Sequence, residues 1–224
     1  EQLDTRLQAD LQRVEAGQAV HLCVNGAYGQ GKSHTLTYLR QRALEHGYVV
    51  SAINLDPRET PLHQFRHVYR ALMQALTFPD QADQPEPATE AEHGAFPDVW
   101  QAWVQTQALP TDDQDEQVTA VANLLPADMP HPFKTVLVAL TQKTRMIAPE
   151  RRSAVKYRDY RPADFPGILR RALLGDVVPV AELRPALKYR QVSFYMQEPL
   201  ALEDNTAFLG MLATLPELFR RMGY

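Results

Sequence analysis

Leu3, Leu7, Leu11 and Val14 recur at the spacing of one helix face, and Gly17 stands where such a helix would end. The rhythm then changes. Ala19 to Val24, Ala-Val-His-Leu-Cys-Val, is an almost continuous apolar run, the pattern of a strand buried on both faces. From Lys32 to His46 the helical period returns at Leu36, Leu39, Ala43 and Leu44, and Gly47 occupies the place of a left-handed C-terminal cap. Tyr48 to Leu55 reads as a second buried strand. Strand, helix and strand within 37 residues make a βαβ unit, in which the two strands run parallel.

Beyond Asp56-Pro57 the period is helical through Leu62, Phe65, Tyr69, Leu72 and Leu76. Pro79 to Pro97 holds four prolines and five acids with no lysine or arginine, which predicts a mobile acidic surface loop. Helices are expected over Val99 to Leu109 with Trp100 and Trp103, from the acidic group Asp112, Asp113, Asp115 and Glu116, and over Phe133 to Ile147, Phe165 to Leu174 and Asn205 to Met222. The remainder is therefore mostly helical, and only two strands are clear.

Composition narrows the class. Of 224 residues, 45% are apolar and 22% charged, which excludes wholesale disorder and fibrous repeats. The single cysteine, Cys23, excludes an internal disulfide framework and reads as a small buried strand residue. No apolar run reaches the roughly 18 to 20 residues a membrane span needs, and the start shows no secretion signal, so a cytoplasmic protein with no membrane partner is expected. The net charge of −4 gives no global attraction to nucleic acid.

The chemistry is concentrated in one loop. Gly26-Ala27-Tyr28-Gly29-Gln30-Gly31-Lys32-Ser33 matches Gly-x-x-x-x-Gly-Lys-Ser/Thr in full, between an expected strand and an expected helix. Glycines let the backbone turn sharply and approach a polyphosphate without Cβ clashes, so that its N–H groups can donate together. The helix start adds unpaired N–H groups and a positive dipole end, Lys32 reaches the β- and γ-phosphates, and the Ser33 hydroxyl can ligate Mg²⁺. A nucleotide with Mg²⁺ is the expected ligand. ATP is favoured over GTP because no Asn/Thr-Lys-x-Asp segment is present. His34, next in the helix, either touches phosphate or packs.

Hydrolysis also needs an acidic site for the metal and the attacking water. No strand ending in such a carboxylate is found, so the catalytic residues stay unknown. Asp56 is open to two readings, a metal-binding carboxylate after the second strand or part of an Asp-Pro turn. His63 and His67 have zinc-like spacing, but Gln64 stands where a zinc peptidase has Glu and no third ligand is identified. Lys143 to Arg161 carries seven basic and two acidic residues with Tyr157 and Tyr160 interleaved. That segment is either a DNA-backbone contact or a solvated helix face.

Gly26 to His34, with the run Tyr48 to Leu55, Pro61-Leu62, Val68 to Leu72 and Leu215 to Tyr224, resembles the AAA-type P-loop ATP-binding proteins of BREX bacteriophage-exclusion systems. Tyr28 within the loop and His34 after its serine are the most distinctive matches. The resemblance implies an ATPase working in phage defence, with DNA nearby and an oligomeric assembly. In that family a helix ending in Gly-Tyr leads into the strand bearing the metal-binding Asp and catalytic Glu. Since this sequence ends at Gly223-Tyr224, it reads as part of a larger ATPase.

The expectation is thus an α/β fold, the N-terminal part of an AAA-like P-loop NTPase with a large helical insertion. Its parts would be a nucleotide-binding core over 1–77, a helical insertion over 78–202 with the acidic loop 79–97, and a helix over 203–224 leading toward a core strand. The competing functions are a small-molecule or nucleotide kinase using Asp56 and a non-catalytic DNA-associated scaffold.

Overall fold

The computed structural model describes residues 2–56, 62–81, 94–110, 113–142, 165–189 and 205–224. Its elements in order are α1 (Gln2–Glu15), α2 (Lys32–Glu45), β1 (Val50–Ser51), α3 (Phe65–Gln74), β2 (Leu76–Thr77), a 3-10 turn (Pro79–Gln81), α4 (Phe96–Thr106), α5 (Gln114–Leu124), α6 (His131–Thr141), α7 (Phe165–Leu173), α8 (Val180–Tyr189) and α9 (Asn205–Met222). No helix among the described residues is long and apolar enough to cross a membrane.

The expected α/β fold is corrected: the described chain is mostly helical. Its one sheet has two strands of two residues each, and they pair antiparallel, Val50 with Thr77 and Ser51 with Leu76. Residues 19–24 form no strand at all. Leu22 is 40% exposed, and Cys23, expected in a strand interior, is exposed as well. A six-residue apolar run signals a preference for burial, and it becomes a central strand only if neighbours supply both a hydrogen-bond ladder and apolar cover on both faces. Among the described residues neither is present around residues 19–24, and β1 pairs with the segment that follows α3.

Burial lies in the helices after residue 65. In α6 the side chains of Phe133 and of Thr135 through Leu140 are all buried, the mark of a helix surrounded by others, and α4, α5, α7 and α8 pack on it. Trp100 of α4 is fully buried and its indole N–H donates to the Leu137 carbonyl of α6 at 2.9 Å, so a large apolar body enters the core without an orphaned donor. Tyr69 of α3 plays the same part between α3, α6 and α9. Its ring lies 5.6 Å from Phe133 and 4.9 Å from Phe208 by centroids, and its hydroxyl donates to Leu173 O at 2.7 Å. Complete burial pushes the Tyr69 phenol well above its ordinary range.

Gly175 follows α7 with φ +85°, and a Cβ there would come within 2.8 Å of the Tyr69 ring. Only glycine satisfies both demands. Helix ends follow the charge logic of the sequence. The Asp113 side chain accepts from Asp115 N at 2.8 Å as the N-cap of α5, and Arg221 of α9 donates to the carbonyls of Leu124 and Leu125 at its other end.

Tyr69→Phe removes one hydroxyl and leaves the buried Leu173 carbonyl without its partner. Urea denaturation of this variant is expected to show a loss of about 1–2 kcal/mol with an unchanged m-value.

Candidate functional site

Residues 25–34 connect an irregular segment to α2, and two left-handed glycines shape the turn. Gly29 has φ +81° and Gly31 has φ +77°, so a side chain at either would be strained although space is open around both. Gly31 is the N-cap of α2, and no side chain caps the helix there. The first intrahelical bond runs from Thr35 N to Gly31 O at 2.9 Å. By helix geometry the N–H groups of Lys32, Ser33 and His34 therefore have no intrahelical acceptor and sit at the positive end of the dipole.

Lys32, the first residue of α2, folds back across the loop. Its ammonium donates to Gly26 O at 2.8 Å and to Ala27 O at 2.7 Å. Two loop amides are engaged by side chains: Gly26 N donates to Asn25 Oδ1 at 2.8 Å, and Ala27 N donates to Gln30 Oε1 at 2.9 Å. A Cβ on Gly26 would lie 2.7 Å from that Gln30 oxygen, so the absent side chain leaves room for the amide to fold inward. The sequence pointed to Gln30 as one position of the loop but not as the partner of the Ala27 amide, and it did not point to Asn25. An Asn directly before a glycine turn is a recognisable signal for such a bond.

Within Gly26 to His34, Lys32 is partly buried, and Ala27, Tyr28, Gly29, Gln30, Gly31, Ser33 and His34 are exposed. The loop's chemistry suits an anion: one ammonium, the first N–H groups of α2, a serine hydroxyl and a helix start lie within nine residues. Every proton acceptor that holds Lys32 is a neutral carbonyl, so its charge is not cancelled by a described ion pair. The donor set fits a polyphosphate.

A family model, BREX system ATP-binding protein BrxC/D, matches residues 1–143, well over half of the chain. The chain belongs to this family. Membership in the BrxC/D family brings ATP binding and a place in a BREX phage-exclusion system. Neither the curated proteins nor the solved structures hold a match to this chain.

In this BrxC/D family member the other sequence-derived candidates are not gathered into one site. Asp56 is exposed in the irregular stretch after β1. His63 lies in the turn before α3, with its Nε2 3.4 Å from Gln64 Nε2, so it does not share a helix face with His67. Among the described residues no group of three or more His, Cys, Asp or Glu is placed to hold a metal. Lys143 to Arg161 lies outside the described residues.

Three hydrogen bonds that the sequence did not reveal tie the loop helix and β1 to their surroundings. Arg40 of α2 donates to Thr77 Oγ1 of β2 at 3.2 Å, and Ser51 Oγ of β1 donates to Leu72 O of α3 at 2.8 Å. On the opposite side, the Tyr38 hydroxyl of α2 donates to the Asp4 carboxylate of α1. That bond holds the Asp4 carboxyl below its ordinary value of 3.8 and the Tyr38 phenol above its ordinary 10.0.

The Asp4 contribution is present above its unfolded value and lost as pH falls through the lower folded one. The Tyr38 contribution is present below its unfolded value and lost as pH rises through the higher folded one. Opening of α1, read from amide exchange after correction for the intrinsic pH dependence of the exchange chemistry, is accordingly expected to be rare at neutral pH and to become more frequent below about pH 3.8 and above about pH 10. Tyr38→Phe should make it more frequent at neutral pH too.

Proposed function

We propose that Gly26 to His34 bind the triphosphate of ATP with Mg²⁺. In this reading the amides of Tyr28 to Ser33 take the phosphate oxygens, Lys32 serves the β- and γ-phosphates, and the Ser33 hydroxyl is the protein's ligand to the metal. His34, one residue into α2, flanks the phosphates. Lys32 carries the proposal: a cation already placed on the rim of a glycine turn, held among the described residues by neutral carbonyls, needs only to exchange acceptors to meet an anion.

The finer assignment, a Walker A loop of an AAA-type ATPase that hydrolyses ATP, belongs to the same proposal. It rests on the loop and on family membership. Nothing in it relies on a parallel sheet, and no carboxylate is assigned to the attacking water. DNA contact through Lys143 to Arg161 is a separate part of the proposal, motivated by the local excess of positive charge.

Calorimetric titration with ATP and Mg²⁺ tests the nucleotide assignment. Lys32→Ala should weaken binding at least about tenfold, the equivalent of one lost charge-assisted hydrogen bond. Ser33→Ala should reduce the gain that Mg²⁺ gives over ATP with EDTA. Equal affinity in wild type and Lys32→Ala would remove the loop from the site. DNA retention, if it runs through the basic segment, should survive Lys32→Ala and fall steeply with salt.

A further inference from the structure

Among the described residues Tyr28 has the most exposed of the large hydrophobic side chains. Its relative exposure is 104%, and among the described residues its hydroxyl has no partner. A bulky ring held entirely in water contributes nothing to the core, and on a loop of this composition it is conspicuous beside Ala27 and the glycines at 26 and 29. Two observations place it at one particular end of the loop. The peptide joining Ala27 to Tyr28 is the one whose carbonyl accepts from the Lys32 ammonium at 2.7 Å. Gly29, directly after it, turns the chain with φ +81° and leaves open space where a side chain would stand.

Resting on the phosphate-loop reading above, we propose that Tyr28 determines specificity for the terminal phosphate: its phenol donates a hydrogen bond to the γ-phosphate of ATP and thereby separates ATP from ADP. The branch point of Tyr28 lies at the Lys32 end of the loop, which serves the β- and γ-phosphates. The base lies at the far end of the triphosphate chain. A serine or threonine hydroxyl here would stop close to the backbone, whereas a phenol carries its donor well away from it into the surrounding solvent. Because Lys32 and Tyr28 meet at one peptide, movement of the ammonium from Ala27 O to phosphate frees the same peptide that carries the tyrosine.

The test is a pair of titrations, ATP–Mg²⁺ and ADP–Mg²⁺, on wild type, Tyr28→Phe, Tyr28→Ala and Lys32→Ala, with circular dichroism confirming the fold of each. Tyr28 touches no core residue, so its variants are expected to fold. Loss of the hydroxyl alone in Tyr28→Phe should weaken ATP about tenfold and leave ADP unchanged, the size of a hydrogen bond to a charged oxygen. Tyr28→Ala should do no more than Tyr28→Phe. An ATP/ADP ratio in Tyr28→Phe equal to wild type overturns the proposal. So does an equal loss of both nucleotides in Tyr28→Ala alone, which would put the ring on the base or ribose. If Lys32→Ala binds both nucleotides as wild type does, the phosphate-loop reading itself falls; if Lys32→Ala loses both while Tyr28→Phe keeps the ratio, only the role of Tyr28 falls.

Discussion

A single ammonium group organises the front of this protein. Lys32 begins α2, and its charge must be satisfied close to the helix start, where the dipole already repels a cation. It is satisfied by turning back onto Gly26 O and Ala27 O. That turn is possible only because Gly31 and Gly29 adopt left-handed conformations that bring the carbonyls beneath the lysine. The same bends leave the first amides of α2 without an intrahelical acceptor and aim no side chain at them. A loop that holds a cation at this place is also one suited to an anion. The proposed preference of the loop for phosphate and its shape would then have one cause.

Stability comes from elsewhere. The contiguous core runs from Tyr69 to Met222, and among residues 2–56 only Leu44 is a buried apolar side chain. Leu22, Tyr28, Leu36 and Leu55 are exposed. The loop region thus falls at the low-stability end of the structure, with few buried contacts and many solvent-facing polar bonds. Such a region can exchange its hydrogen bonds for those of a ligand without disturbing the packing of α6 and its neighbours. Arg40 to Thr77 and Ser51 to Leu72 O are the polar links through which α2 and β1 meet the elements around α3.

Helix existence and chemistry were legible in the sequence to very different depths. The three-four spacing of Leu3, Leu7, Leu11 and Val14 located α1, and Gly17 and Gly47, both left-handed, follow α1 and α2 as expected. Trp100 proved a core residue, whereas Trp103 is only half-buried. The sheet was misread, because Ala19 to Val24 and Tyr48 to Leu55 advertise apolar surface but not the partner strands that a parallel ladder requires. Antiparallel pairing of Ser51 with Leu76 joins residues separated by the whole of α3, and no local pattern announces it. In the loop, residue types alone pointed to Lys32 and Ser33. The bonds of Asn25 and Gln30 to loop amides depend on side-chain conformations that spacing does not encode.

The central claim is that the ammonium and amides of residues 26–34 exchange their own carbonyl and side-chain partners for phosphate oxygens. Amide resonances of ¹⁵N-labelled protein, followed during addition of ATP and Mg²⁺, report this directly. The largest shifts should fall on Ala27, Gly29, Gly31, Lys32 and Ser33, and they should be reproduced in part by inorganic triphosphate lacking the base. Saturable binding with these resonances unmoved, and shifts gathered instead in α4 to α9, would contradict the account.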